Sequence, residues 1–195
     1  MKSEFETIWQ LALPYLDTRH NAVHSDISTQ LAWALLKREG GEEAIVIPAI
    51  MLHDVGWKAV PPELHLKAFG PGATRPELNR AHEVAGVKIA RSILAAVSYH
   101  PAQTRQILKI IDGHDSRATA ISINDMIVKD ADKLWRYTRS GFNIDVKRFG
   151  ESFQEALVRL HKNVGAWFFT KTAAEMAQDK LKRRREEISG IKKNT

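Results

Sequence analysis

Residues 49–57 read AIMLHDVGW, and the fold turns on how the middle of that stretch is taken. An apolar run, Ala49 to Leu52, passes straight into an imidazole, a carboxylate and, two residues on, a glycine. A capped helix end needs only a polar group where backbone atoms lose their partners. A metal site needs both side chains turned to one point. Successive helical residues project about 100° apart, so His53 and Asp54 cannot share an ion in mid-helix. At the last turn before Gly56 the chain can bend. The expectation is that the helix stops at this glycine so that both side chains face one ion.

Working outward, helix signals dominate. EEAIVIPAIMLHDVG predicts a mostly buried helix with Glu42 and Glu43 in its first turn and a kink at Pro48. SEFETIWQLALPYL has Ser3 followed three residues later by Glu6, a capping-box pattern ahead of an apolar stripe at Phe5, Ile8, Trp9 and Ala12. HSDISTQLAWALLKREGG puts Ile27, Leu31, Ala34 and Leu35 on one face and stops at Gly40-Gly41. ELNRAHEVAGVKIARSILAAV, AQTRQILKIIDGH, INDMIVKDADKLWRYT, VKRFGESFQEALVRLHKNVGAWF and KTAAEMAQDKLKRRREE continue as helices. Between Trp57 and Pro76 lie four of the seven prolines, which predicts a loop placed to act as a lid. No alternating strand pattern and no internal repeat is present. The expected class is all-α, a single-domain helical bundle over residues 1–179, followed by a basic tail at 180–195.

A chain of 195 residues with 44% hydrophobic content can build one full-sized core. It has no cysteine, which excludes disulfides and thiolate-held zinc or iron–sulfur sites. The first residues carry charges inside their apolar run and no small-residue cleavage site, and no apolar run approaches the ~20 residues that cross a bilayer. A soluble cytoplasmic protein without a membrane partner is expected. The net charge of +6 is concentrated in the tail: residues 180–195 carry seven Lys/Arg against Glu186 and Glu187. A basic run at a helix end serves the helix dipole and solubility, so no nucleic-acid partner is expected.

The eight histidines stand at 20, 24, 53, 65, 82, 100, 114 and 161. His24, His53, His82, His114 and His20 fall near predicted helix ends, where side chains from several helices can converge. One His-Asp pair is weak evidence, but here it belongs to a series: His24, His53-Asp54, then Asp132 in KDADKL. This series resembles the HD superfamily of metal-dependent phosphohydrolases, an all-helical family with an H…HD…D signature, over roughly residues 10 to 140. The resemblance implies His24, His53, Asp54 and Asp132 as ligands of a divalent metal, with Asp132 and not Asp130 as the acidic member of the last motif. AHEVAGVKIARSIL and ILKIIDGHD are similar to the additional motifs of the H-HD-H-H-D members. That likeness implies His82 and His114 at a second metal bridged by Asp54. His53, Asp54, His82 and His114 are accordingly the expected catalytic group. Members that cleave cyclic dinucleotides carry a lysine after the HD-x-G step and a doubled histidine later. Trp57 and the single His114, followed by Asp115, stand in those places and argue against that substrate.

Imidazole and carboxylate ligands suit Mn, Fe, Co, Ni, Mg or Zn, one or two ions per chain. Negative charge on phosphoryl oxygens also asks for nearby cations. Lys58, Arg80 and Lys133 are the expected substrate-binding residues, with Arg75 a further candidate. The expected substrate is a small phosphorylated metabolite, with a nucleotide among the candidates, and a homodimer is a candidate assembly. His20 is expected to orient or meet substrate, His65 to lie at the surface of the lid, and His100 and His161 to be structural. Trp135 and Tyr137 are expected to pack the core. Two other function classes stand beside the hydrolase: a di-iron, O2-dependent oxygenase on the same fold, and a non-catalytic ligand-binding module.

Overall fold

Helix α3 (Glu43–Leu52) is apolar on every face, and such a helix is stable only when surrounded. Every residue from Ile45 to Leu52 is buried. Packed around it are α1 (Ser3–Leu16), α2 (Asn21–Glu39), α6 (Pro101–Ile111) and α7 (Ile123–Leu134). Helix α5 (Glu77–Ala96) lies against α6 and against a 3-10 turn at Val55–Ala59. After α7 and the 3-10 turn Trp135–Tyr137 come α8 (Arg139–Phe149), α9 (Phe153–Trp167) and α10 (Lys171–Ile191). Helix α10 packs on α9, α7 and α2. With the single turn α4 (His65–Ala68), the described residues form ten α-helices and no strand. This is a computed structural model, and it describes residues 2–191, so the last four residues of the basic tail fall outside it. The tail's earlier part continues α10, with Leu181 buried against the bundle. Among the described residues no single helix is long and apolar enough to cross a membrane.

Several local expectations are corrected. Pro48 lies inside α3, where it leaves the Ala44 carbonyl without a helical donor. The Tyr99 hydroxyl donates to that oxygen at 2.6 Å, so the gap is filled from across the core. Helix α3 ends at Leu52, before the glycine. His53 keeps helical angles, and the bend comes at Asp54 (φ −101°, ψ 3°). Gly56 is needed for a different reason: a β-carbon there would overlap the His82 carbonyl oxygen and the Gly86 amide of α5. Its missing side chain lets the two backbones touch, which brings His82 beside Asp54.

Ser3 does not cap α1, which starts with Lys2 in the cap position and no side-chain cap bond. The expected single helix from 146 to 168 is two. Gly150 adopts φ +65° as the C-cap of α8, and Ser152 and Glu155 form a capping box that starts α9. The Trp57–Pro76 stretch is less irregular than expected. Its first half is folded into 3-10 turns and α4, and Trp57, Val60, Ala68 and Leu78 form a small core of their own with Leu64 and Phe69.

Candidate metal centre

Four helix ends and one helix interior deliver the chemistry to one point. His24 stands in the first turn of α2, His53 and Asp54 just after α3, and His82 in the second turn of α5. His114 and Asp115 follow the end of α6, and Asp132 and Lys133 occupy the last turn of α7. All of these except Asp115 and Lys133 are buried. His24 Nε2 lies 2.8 Å from His53 Nε2, 3.4 Å from Asp54 Oδ2 and 3.3 Å from Asp132 Oδ1. His82 Nε2 lies 3.3 Å from His114 Nε2, and both lie within 3.8 Å of Asp54 Oδ1 and of Asp115 Oδ2. Asp54 therefore stands between two groups of donors.

These atoms fit a metal on two counts. Donor separations of 2.8 to 3.8 Å are close to the ~3 Å between neighbouring vertices of an octahedron with ~2.1 Å bonds. The second count is the supply of lone pairs. His53 Nδ1 donates to the Ile50 carbonyl at 2.7 Å and His114 Nδ1 to the Ile111 carbonyl at 3.0 Å, which leaves both Nε2 atoms as acceptors when the rings are neutral. Around each Nε2 stand further nitrogen and carboxylate acceptors. A single proton can serve only one of them, whereas a cation serves all. The electrostatics agree. Burial opposes charge on His114, yet the hydrogen bond to Asp54 and the charges of Asp115 and Asp54 raise it to about 9. Burial likewise opposes charge on Asp54, but His53, His114 and His24 hold it well below the usual carboxylate range. Burial and the neighbouring His114 push His82 down to about 4, so its ring is neutral and free to ligate. The carboxylates call for positive charge at this point.

Sequence reasoning assigned no aiming role to Trp57 or to Lys133, which it expected at the substrate, and it missed Glu83 and Lys129. Trp57 Nε1 donates to Asp54 Oδ1 at 3.1 Å, and the indole stacks on His82 with centroids 4.1 Å apart. Lys133 Nζ donates to Asp115 Oδ1 and Asp132 Oδ2, both at 2.7 Å, which turns their other oxygens toward the histidines. Buried Glu83 accepts from the amides of Asp115 and Ser116 and from the Ser116 hydroxyl. Buried Lys129 donates to the carbonyls of Gly113, His114 and Arg117. Together they fix the turn that carries His114 and Asp115. The only sequence signal for Asp115 was its place beside His114.

His24, Asp54, Asp115 and Asp132 of the cluster line the floor of a cavity of about 370 Å3. Of the three residues expected to bind substrate, Lys133 lines it, whereas Lys58 and Arg80 do not. Lys58 is paired with Asp17 at the surface, Arg80 with Glu83 and Asp112, and Arg75 with Glu77. The cations of the wall are instead Arg19, Arg136, Arg148 and Arg159. Asp130 faces away and accepts from the Phe169 and Thr170 amides. His65 is buried, not at the surface, and pairs with the Val60 carbonyl at 2.8 Å. His20, His100 and His161 are exposed and outside the cavity. Tyr137 is core, and Trp135 is core with its ring also facing the cavity and the edge of His24.

No curated protein matches the chain. A crystal structure described as a predicted HD superfamily hydrolase, from an uncultured Thermotogales bacterium, superposes with a TM-score of 0.63. It shares 19% identity over all of this chain and 92% of that one, a likeness of fold. The family model for the HD domain matches residues 22–136, a span that holds every histidine and carboxylate of the cluster. With well over half of its length matched and the paired residues that give the family its name buried at the centre of the fold, the chain belongs to the HD domain family.

Proposed function

We propose that this protein is a metal-dependent phosphohydrolase that cleaves a phosphate ester of a small metabolite. The observation that carries this reading is the place of the His/Asp cluster, on the floor of a cavity walled by guanidinium groups and Lys133. A volume of about 370 Å3 suits a small metabolite. The hydrolase description of the structural neighbour is in keeping with it. His24, His53, Asp54 and Asp132 would hold one divalent ion, and Asp54, His82, His114 and Asp115 a second. Ions held there would acidify a water and take up negative charge on the phosphoryl oxygens. The remaining work belongs to the chain. Trp57 and Lys133 orient the carboxylates, and Lys133 adds a fixed positive charge beside the site of charge development. The indoles of Trp57 and Trp135 line the floor and exclude bulk water.

The test is a panel of phosphate esters assayed with Mn, Fe, Co, Ni, Mg and Zn in turn, alongside metal analysis and oxygen uptake. Expected is release of inorganic phosphate that chelator abolishes, that returns with metal, and that Asp54→Ala lacks. Oxygen uptake without phosphate release would replace the hydrolase with the di-iron oxygenase. A protein that binds ligand but turns over nothing would leave only a binding module.

A further inference from the structure

We infer that the substrate carries a second anionic group, bound by Arg19, Arg136 and Arg148 apart from the phosphoryl group at the metal cluster. The inference rests on the cavity being the substrate site, as proposed above. All three guanidiniums line that cavity and gather around one ring, at 4.2, 5.9 and 5.6 Å from the centroid of Phe69. One carboxylate serves them: buried Asp145 accepts from Arg136 at 2.6 Å and from Arg148 at 3.0 Å. Asp145 is the one carboxylate in direct contact with them, while Asp54, Asp115 and Asp132 of the cluster act on them only from beyond ion-pair distance, so an anion joining the group would meet directly available donors.

Arg19 is the telling member. Among the cations that line the cavity, it alone makes no side-chain hydrogen bond or ion pair with any described residue, and its Nε and Nη1 atoms are buried. Lys133 has Asp115 and Asp132, and Arg159 has Glu151. The backbone is strained to place it: Arg19 and His20 both have positive φ, 56° and 62°, outside the range side-chain-bearing residues favour. Arg148 holds that turn by donating to the Arg19 carbonyl at 2.7 Å. Burial, together with the like charges of Arg148 and Arg136 and against the pull of Asp54 and Asp115, lowers the Arg19 guanidinium to about 10, so it stays charged at neutral pH without a direct carboxylate partner.

The arginine group is also set apart from the His82 side of the candidate metal cluster. The Trp57 indole stacks on His82 at 4.1 Å and carries the Arg19 guanidinium 3.9 Å above its ring. The indole thus stands between His82 and the guanidinium, and a phosphoryl group on the His82 side of the cluster would leave Arg19 to a second anion. The ligand class that fits is a small molecule with two anionic groups, such as a bisphosphate or a phosphorylated acid.

The test uses full-length, metal-loaded protein, titrated by calorimetry with butylphosphonate and with α,ω-alkanebisphosphonates of two to six carbons. Wild type should bind at least one bisphosphonate roughly tenfold or more tighter than butylphosphonate, and Arg19→Gln should remove that advantage while leaving butylphosphonate within about twofold. An equal loss for both ligands would place Arg19 at the metal-bound phosphate, and no bisphosphonate preference in wild type would remove the second site; either overturns the inference. If Arg19→Gln lacks full metal content, Arg19→Lys takes its place, keeping charge without the planar fork and retaining only part of the preference. A bisphosphonate preference in a protein that hydrolyses no ester would sink the phosphohydrolase reading alone. Ester hydrolysis without the preference would sink the second anion site alone.

Discussion

Two residues separate Asp130 from Asp132 on α7, about 200° around the helix, so only one of them can face the histidines. Asp132 does, and Asp130 instead ties the start of α10 to α7 through the amides of Phe169 and Thr170 and the Thr170 hydroxyl. Asp132→Asn is expected to lower turnover by more than about 100-fold and to lose metal. Asp130→Asn should keep metal and activity but lose about 1–3 kcal/mol of stability, because two buried amides keep a weaker acceptor. Paired assays of metal content, rate and thermal unfolding check this, and the reverse pattern would shift the register of the last motif by two. A second prediction concerns protons. His114 is raised to about 9 in the metal-free protein, so at pH 7 it carries a proton that metal must displace. Calorimetry in buffers of different ionisation enthalpy should show release of at least one proton per chain at saturation. Affinity should fall as pH drops from 9 toward 6, since protons compete for the same nitrogen. Release of none would mean that His114 does not ligate.

At the scale of elements, what the sequence shows and what it hides follow from the range of each signal. The helices of the core are legible because apolar spacing is a local pattern, and His24, His53, Asp54, His82, His114 and Asp132 are legible because they recur in motif contexts. The role of Gly56 is not local. It depends on the backbone of α5, twenty-six residues away in sequence at His82, and nothing near Gly56 announces that approach. Arg19, Arg136 and Arg148 were missed for the same reason, since their convergence on Phe69 is a product of tertiary packing. Lys58 was misjudged because nearness in sequence to Asp54 is not nearness in space: the 3-10 turn points it at Asp17. The break between α8 and α9 was within reach, because Gly150, Ser152 and Glu155 spell a stop and a start. Pro48 yields a prediction at this scale. Its cost to α3 is offset by a single donor, the Tyr99 hydroxyl, so Tyr99→Phe should destabilise the protein by about 1–3 kcal/mol by leaving the Ala44 carbonyl unpaired. Urea unfolding would read it. A change within about 0.5 kcal/mol would mean that this carbonyl finds another partner.

Taken as a whole, the molecule divides its labour along the chain. The matched span 22–136 carries the candidate metal cluster together with Phe69, Asn79 and Arg136 of the cavity wall, and further wall residues lie outside it: Arg19 before, and Arg148, Phe149, Arg159, Asn163 and Trp167 after. On the proposed function, the residues after the matched span would bear on substrate choice and not on the metal ligands, and the two parts are joined where α8 packs on the 3-10 turn at Trp135–Tyr137 and α10 packs on α7. Asn163 is the cleanest probe of this division. It lies on α9, lines the cavity, makes no side-chain hydrogen bond with any described residue, and is far in sequence from every ligand. If the cavity holds substrate as proposed, removing Asn163 would delete a polar contact to the part that does not react, which is binding shared by ground state and transition state. Asn163→Ala should raise KM by roughly five- to tenfold and leave kcat and metal content within about twofold. Steady-state kinetics on the best substrate of the ester panel, with metal analysis of the same preparation, decides it. A fall in kcat at unchanged KM would show that α9 acts on the reacting centre, and the separation of metal site from specificity wall would be lost.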